Sequence, residues 1–232
     1  MMIPIEKGAW PQIKICGLTV PEEAAACAVM GADAIGLVFY PPSPRHLQLA
    51  QAAAITANLP ATVRAVGVFV DPTREALSEA ILQCRLQGVQ LHGAESQALI
   101  DQVQKDFGVF VIKGLFAAKA PRLKDAVNYS AAAFLLECGR GPLPGGNALA
   151  WDWAAAASLC RQYPTVLAGG LRVDNVTAAV AAALPDAVDA SSGLESAPGR
   201  KDLRQVEAFI ARVRQTAPLY VQAAKSLRPV FV

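Results

Sequence analysis

Eight short apolar runs alternate along the chain with longer alanine-rich segments, and this alternation limits the possible folds more than any other feature. The runs are mostly continuously apolar, as expected for parallel strands that are covered on both faces. They are QIKIC, AIGLVF, RAVGVFV, GVQLH, VFVIKG, AAFLLE, PTVLAG and AVDAS. The segments between them, such as PEEAAACAVMG and DLRQVEAFIARVRQ, are rich in good helix formers.

Eight strand candidates, each followed by a helix candidate, predict an α/β protein with a single (β/α)₈ barrel. The main alternative is a doubly wound open sheet, which would usually need fewer strands at this length. We expect one domain over residues 1–232, with an N-terminal extension at about 1–11 and a C-terminal tail at about 217–232. The tail is apolar enough to pack on the barrel or at a subunit contact, and both possibilities stay open.

Composition excludes several classes of protein. Hydrophobic residues make up 53% of the chain and charged residues 17%, which argues against disorder. The charges balance, with 21 Lys and Arg against 19 Asp and Glu, and no basic run contains interleaved aromatic residues, so we expect no nucleic-acid partner. No apolar segment is long enough to cross a bilayer, and the N-terminus lacks the apolar core of a signal peptide, so we expect no membrane association.

The cysteines indicate a reduced, cytoplasmic protein without a metal site. Their number is odd, their spacing is wide, and no pair forms a metal-ligand motif. They are Cys16, Cys27, Cys84, Cys138 and Cys160.

Cys16 ends the first apolar run, directly before a predicted helix start. Thr19 and Glu22 have the spacing of a capping box, and Pro21 suits the first helical turn. A free cysteine is usually a small packing residue, so Cys16 by itself has a structural explanation. A strand-end position ahead of a helix would also be a place to lower the pKa of a thiol.

The barrel prediction brings several polar residues together. In this fold the site lies at the C-terminal ends of the strands, within the loops that lead to the helices. Cys16, His92 and Glu137 end predicted strands 1, 4 and 6, and Arg45 follows strand 2. We therefore expect these side chains on one rim of the barrel.

Two small loops on the same rim predict a phosphate site. Gly169 and Gly170 follow strand 7, and Ser192 and Gly193 follow strand 8, the two places where barrels often bind phosphate through backbone N–H groups. The structural alternative is a pair of tight turns. A monophosphate fits better than a nucleotide because no nucleotide-binding glycine motif is present.

A series of motifs at these strand ends resembles a known family. They are KICGL, GLVFYPPSPRHL, VGVFVD, VQLHG, IKGL, WDW, LAGGL and VDASSGLESAPGRKD, in order from residue 14 to residue 202. Together they resemble phosphoribosylanthranilate isomerase of tryptophan biosynthesis. The resemblance implies a single-domain barrel that catalyses an Amadori rearrangement of a phosphorylated small molecule without cofactor or metal, as a monomer or homodimer.

The resemblance also implies residue roles. It makes Cys16 the general base, places Arg45 opposite the anthranilate carboxylate, and puts Glu137 where the family has an aspartate as general acid. Here the chain departs from the family, and Asn147 and Ala148 replace the usual Thr-Gly of the following loop. The longer carboxylate retains acid chemistry but displaces its head by about one methylene, which puts the rate in question.

Two further polar residues have alternative readings. His92 is expected to line the site and contact substrate, or else to be a core histidine satisfied by hydrogen bonds. Asp189, just before the phosphate loop, is assigned to substrate binding, with bracing of that loop as the alternative.

Two other functions remain open. One is the related Amadori isomerase of histidine biosynthesis, which uses aspartates as acid and base on two fused half-barrels; Cys16 and the absence of a repeated half argue against it. The other is a sugar-phosphate-binding barrel that has lost turnover; the retention of Cys16, Arg45 and the carboxyl group of Glu137 argues against that.

Overall fold

The computed structural model describes residues 8–141 and 149–232, and within them the predicted barrel is confirmed. Eight parallel strands close in chain order, with the last pairing to the first. They are β1 (Gln12–Cys16), β2 (Ala34–Val38), β3 (Arg64–Phe69), β4 (Gly88–Leu91), β5 (Phe110–Phe116), β6 (Ala133–Glu137), β7 (Thr165–Leu167) and β8 (Ala187–Ala190). A short antiparallel pair, β9 (Glu195–Ala197) and β10 (Arg200–Lys201), follows β8.

Helices surround the barrel. They are α1 (Pro21–Met30), α2 (Leu49–Thr56), α3 (Arg74–Gln83), α4 (Gln97–Phe107), α5 (Ala157–Gln162), α6 (Val176–Ala183), α7 (Leu203–Arg214) and α8 (Ala217–Gln222). The segment after β5 was expected to be α-helical but forms a 3₁₀ turn, Leu123–Asn128. The Asp125 carboxylate accepts a hydrogen bond from the backbone N–H of Arg122, which caps the start of the turn, and the backbone bonds join residues three apart, from Asp125 N–H to Arg122 and from Tyr129 N–H to Ala126.

The barrel interior is apolar at its lower end, where the strands begin. The apolar cluster that begins there consists of Ala34, Val66, Phe110, Ile112, Ala133, Leu135, Val166, Ala168 and Ala187, joined by Val230 and Phe231 of the tail, and it extends up to the cleft at Leu135 and Ala168. Towards the upper end, where the strands finish, polar side chains replace this cluster. The upper end is therefore the part of the barrel equipped for chemistry.

The C-terminal tail packs against the lower end of the barrel. Val230 and Phe231 are buried, and their N–H groups donate to Oε1 of Gln12 at 2.6 and 3.2 Å. The ring of Phe231 lies 6.4 Å from that of Phe110, measured between centroids. The tail was expected to pack either on the barrel or at a subunit contact, and the structure shows it packed on the chain's own barrel.

Candidate active site

A cleft of about 790 Å³, part of it open to solvent, lies at the upper end of the barrel. It is within the size range of small-molecule sites. Every candidate site residue lines it: Cys16, Arg45, His92, Glu137, Gly169, Gly170, Asp189, Ser192 and Gly193. The strand-end argument therefore placed these residues together as expected, while their chemical roles remain predictions.

Cys16 is the last residue of β1 and is 8% exposed, with its side chain facing the cleft. The expected capping box is wrong, because Val20 is the N-cap of α1 and the Thr19 hydroxyl donates to the carbonyl of Gly199 instead. The expectation of a lowered thiol pKa is also wrong. Burial raises the pKa of Cys16, against the lowering effect of the ammonium group of Lys14, because the thiol ends inside the barrel rather than at a helix N-terminus.

Lys14 and Asp189 form an ion pair inside the barrel, directly below Cys16. Nζ of Lys14 lies 3.0 Å from Oδ2 of Asp189, and the lysine side chain is fully buried. Oδ1 of Asp189 is also buried and has no hydrogen-bond partner among the described residues. Because Asp189 lines the cleft, this oxygen is an acceptor available to a ligand.

His92 and Glu137 form a second polar pair, across the cleft. Nε2 of His92 lies 2.8 Å from Oε2 of Glu137, and Nδ1 of His92 lies 3.2 Å from Nε2 of Gln90. Both expectations for His92 thus hold in part, since it lines the cleft and its ring nitrogens have partners. Glu137 faces the cleft, and the next residue, Cys138, is buried and does not line it, as regular alternation in β6 predicts.

Arg45 is bound by a carboxylate of the chain itself. Its Nε and Nη2 donate to the two carboxylate oxygens of Glu195 at 2.8 and 2.6 Å. Glu195 also accepts from Nζ of Lys201 at 2.7 Å. Burial would raise the pKa of Glu195, but the hydrogen bond from Arg45 and the charge of Lys201 lower it below its ordinary value. One anion thus serves two cations, and the cluster carries net positive charge beside the cleft.

The loops after β7 and β8 line the cleft with small residues. Gly169 and Gly170 have φ angles of +85° and +69°, a conformation that favours glycine. A Cβ atom at Gly170 would lie 2.4 Å from the backbone nitrogen of Ala150, so only glycine fits there. Ser192 and Gly193 begin a 3₁₀ turn, Ser192–Leu194, that lines the same side of the cleft.

Sequence reasoning missed three charged residues, Lys14, Glu195 and Lys201. A signal existed for Lys14, because a lysine on the inward face of an otherwise apolar strand needs a buried partner. Glu195 and Lys201 lie within the quoted segment GLESAPGRKD, but nothing in the sequence indicates that they bond to each other or to Arg45. The altered loop residues Asn147 and Ala148 lie outside the described residues.

The next observations concern metal ligands, membrane-spanning helices and cysteines in the described part of the chain. Within residues 8–141 and 149–232, no group of three or more His, Cys, Asp or Glu side chains is placed to hold a metal ion. No helix in this part of the chain has the length and apolar character needed to cross a membrane. All five cysteines are free and buried.

Comparison with known proteins identifies the family. A family model for N-(5'phosphoribosyl)anthranilate (PRA) isomerase matches residues 13–212. The N-(5'-phosphoribosyl)anthranilate isomerase of Desulfatibacillum aliphaticivorans is 49% identical over 205 residues, covering 88% of this chain and 94% of the relative.

Solved structures agree with the sequence relatives. The crystal structure of phosphoribosyl anthranilate isomerase from Thermotoga maritima superposes with a TM-score of 0.80 at 33% identity, covering 88% of this chain and 99% of the other. A crystal structure of such an isomerase in complex with reduced 1-(o-carboxyphenylamino)-1-deoxyribulose 5-phosphate superposes with a TM-score of 0.78 at 32% identity, with the same coverage.

Proposed function

The chain belongs to the N-(5'-phosphoribosyl)anthranilate isomerase family, and from this premise we propose that Cys16 is the general base and Glu137 the general acid of its reaction. The enzyme catalyses the Amadori rearrangement of N-(5-phosphoribosyl)anthranilate to 1-(2-carboxyphenylamino)-1-deoxyribulose 5-phosphate in tryptophan biosynthesis. The observation that supports the proposal most strongly is that Cys16 and Glu137 face one cleft from β1 and β6.

Ring opening is the first step that needs the protein. The ribose ring oxygen leaves the anomeric carbon as the nitrogen lone pair forms an imine, and this oxygen must receive a proton. Glu137 faces the cleft, and its Oε2 lies 2.8 Å from Nε2 of His92. We assign Glu137 as the proton donor and His92 as the residue that orients its carboxyl group and contacts the substrate.

Proton removal at C2′ is the second step. The protonated imine acidifies this carbon, so a modest base suffices, and loss of the proton gives an enolamine that becomes the ketone product. Cys16 can take this proton only as the thiolate. The buried Oδ1 of Asp189, which has no hydrogen-bond partner among the described residues, is a suitable acceptor for a sugar hydroxyl, so we assign Asp189 to substrate binding.

The two charged ends of the substrate match two sides of the cleft. The backbone amides of Gly169, Gly170, Ser192 and Gly193 are assigned to the phosphate. The cluster of Arg45, Glu195 and Lys201 has one carboxylate for two cations, and the anthranilate carboxylate would balance it. Arg45 is therefore assigned to this carboxylate, which it would bind while keeping Glu195 on its other edge.

Cellular context remains part of the proposal. A biosynthetic enzyme with five free cysteines suits a reducing cytoplasm. The oligomeric state, monomer or homodimer, stays a prediction.

The test is a steady-state assay that follows consumption of phosphoribosylanthranilate by its fluorescence, with inorganic phosphate as a competitor. We expect turnover by the wild-type chain and a loss of about 10²- to 10⁴-fold in kcat for Cys16→Ser, because a hydroxyl is a poor base at neutral pH. Cys27→Ser is the matched control, since Cys27 is buried in α1 and does not line the cleft. Wild-type turnover in Cys16→Ser would contradict the base assignment, and absence of turnover in the wild type would favour a barrel that only binds.

A further inference from the structure

Lys14 is a fully buried lysine inside the barrel, and no step of the proposed reaction uses it. It lies two positions before Cys16 in β1, so both side chains point to the same face of the strand, into the barrel. Burying an ammonium group carries a large desolvation penalty unless it is paired. The partner of Lys14 is Asp189, which lines the cleft, so the buried ammonium group is tied to the site.

The structure places the Lys14 ammonium beside the Cys16 sulfur. A Cβ atom built on Gly36 would lie 2.6 Å from Sγ of Cys16 and 2.9 Å from Nζ of Lys14. Both groups therefore border the space that a side chain at Gly36 on the neighbouring strand β2 would fill. Asp189, directly opposite Lys14 on the adjacent strand β8, fixes the ammonium group at 3.0 Å.

We propose that Lys14 is a positioning residue for the base: its ammonium group, anchored by Asp189, stabilises the thiolate form of Cys16. The inference rests on the proposed role of Cys16 and extends it, because it names the group that makes a buried thiol usable as a base. Without a neighbouring cation, a thiolate at this buried position would be strongly disfavoured.

The other charged groups around Cys16 are less suited than Lys14 to stabilise its thiolate. Lys201 on β10 and Arg45 after β2 also carry positive charge near the sulfur, but both are hydrogen-bonded to Glu195. Asp189 on β8 is an anion and disfavours a second negative charge. Burial raises the pKa of Cys16, and Lys14 is the largest of the influences that lower it.

The pair thus affects the thiol in two opposite directions. The positive charge of Lys14 favours the thiolate, and the negative charge of Asp189 opposes it. Removing either partner breaks the same ion pair, so a purely structural role predicts similar consequences for both variants. The electrostatic role predicts opposite shifts of the Cys16 titration, and this difference is the basis of the test.

The experiment titrates Cys16 by the ultraviolet absorbance of its thiolate, as the difference between each protein and the same protein carrying Cys16→Ser. We expect Lys14→Met to raise the apparent pKa of Cys16 by about one unit or more, and Asp189→Asn to lower it, since one neighbouring charge typically shifts a buried group by about 1 to 3 units. Spectra are compared at equal pH within the range where circular dichroism shows every variant folded.

A double variant covers the case in which Lys14→Met does not fold because it leaves Asp189 buried without a partner. Lys14→Met combined with Asp189→Asn removes both charges, and comparison with Asp189→Asn alone isolates the effect of the lysine. We expect the double variant to titrate about one unit or more above Asp189→Asn. An equal titration in these two proteins, or shifts of one sign in both single variants, would overturn the proposal.

The titration does not depend on turnover, so it tests the effect of Lys14 on the thiol separately from the role of Cys16 as the base. If Cys16→Ser keeps full kcat while Lys14→Met still raises the thiol titration, the base assignment fails and the electrostatic pairing stands. If Cys16→Ser is inactive and the thiol titration ignores Lys14, the base assignment stands and this inference fails.

Discussion

Asp186 directly precedes β8 and Asp189 lies next to its last residue, and the two carboxylates have different partners. Asp186 is fully buried at the lower end, where Arg228 donates to both of its carboxylate oxygens from Nε and Nη2, at 3.2 and 2.7 Å, and Thr165 adds its backbone N–H at 3.0 Å. Asp189 at the upper end is bonded through Oδ2 to Lys14, and its buried Oδ1 has no partner among the described residues.

The difference shows how one strand serves both stability and chemistry. Both carboxylate oxygens of Asp186 have hydrogen-bond partners, so this aspartate binds the tail to the lower end of the barrel. At the upper end an acceptor is left open in a buried place, which costs folding free energy and is useful only if a ligand completes it. Substitutions at the upper end should therefore mainly change activity, and substitutions at the lower end should mainly change stability.

Glu137→Gln should give the largest effect at the upper end. The amide keeps the shape of the side chain but cannot donate the proton that ring opening needs, so kcat should fall by about 10²- to 10⁴-fold while the melting temperature changes little. Glu137→Asp is the matched comparison, since the family resemblance implies an aspartate at this position, and it should keep substantial activity. Full kcat in Glu137→Gln would show that another group donates the proton.

Removal of residues 224–232 should give the largest effect at the lower end. It exposes the apolar layer under Val230 and Phe231 and leaves Asp186 without Arg228 and Lys225. Loss of a buried Phe alone typically costs about 3–5 kcal/mol, so the free energy of unfolding, measured with urea, should fall by at least that amount. Below the new melting temperature kcat should be near that of the full chain.

The matched control for the tail is Val232→Ala, because Val232 is 63% exposed and should contribute little. Phe231→Ala separates apolar packing from the ion pair, since it leaves Arg228 on Asp186. If the shortened chain unfolds at the same urea concentration as the full chain, the tail contacts do not stabilise the barrel. If it loses activity while folded, the two ends are coupled and the comparison fails.

The sequence was sufficient to predict the barrel because its signals are local. Continuous apolar runs gave β1 with its observed bounds and the other strands to within a few residues, and the rim followed from the rule that strand ends carry the site. The segment after β5 departed from its helical expectation and forms a 3₁₀ turn, whose capped start resembles that of a regular helix.

The sequence was not sufficient where distant charges meet. Lys14 and Asp189 are 175 positions apart, and Arg45 and Glu195 are 150 apart, so no local pattern relates them. The thiol pKa was expected to fall from the nearness of a helix start, but burial depth decides its direction, and depth is a property of the closed barrel. The family match ends at residue 212, so it gives no account of the tail either.

Gly36→Ala tests whether the close approach at the upper end matters. The added methyl would lie 2.6 Å from Sγ of Cys16 and 2.9 Å from Nζ of Lys14, so one of these groups must move. Displacement of a reacting group by about 1 Å can cost on the order of 100-fold in rate. We expect a drop in kcat towards that size; an unchanged kcat would mean that the base and its lysine have more freedom than the geometry indicates.

The pH dependence should also distinguish activity from stability. Because burial raises the pKa of Cys16 above its ordinary value, the thiol is protonated at neutral pH, and kcat should rise by about tenfold per pH unit where ionisation of the thiol limits the rate. The contribution of the same group to stability has the opposite sign. This stabilisation is fully present below the pKa that the thiol has in the unfolded state, and it is lost as the pH rises through the higher pKa of the folded state. A kcat that falls with rising pH would contradict a thiolate base.

The smallest effect is expected at an ion pair that belongs to neither end. Nη2 of Arg74 lies 2.6 Å from Oδ2 of Asp106, on side chains that are 59% and 31% exposed. Exposed pairs of this kind contribute about 0–1 kcal/mol, because water screens the charges and both side chains lose rotamer freedom. Arg74→Ala should therefore change the urea midpoint little and kcat not at all, although its hydrogen bond is as short as those of Asp186. A loss comparable to the additional loss on going from Phe231→Ala to removal of residues 224–232 would mean that short distance, rather than burial, makes the lower pair stabilising. The contrast between the two ends of β8 would then need another explanation.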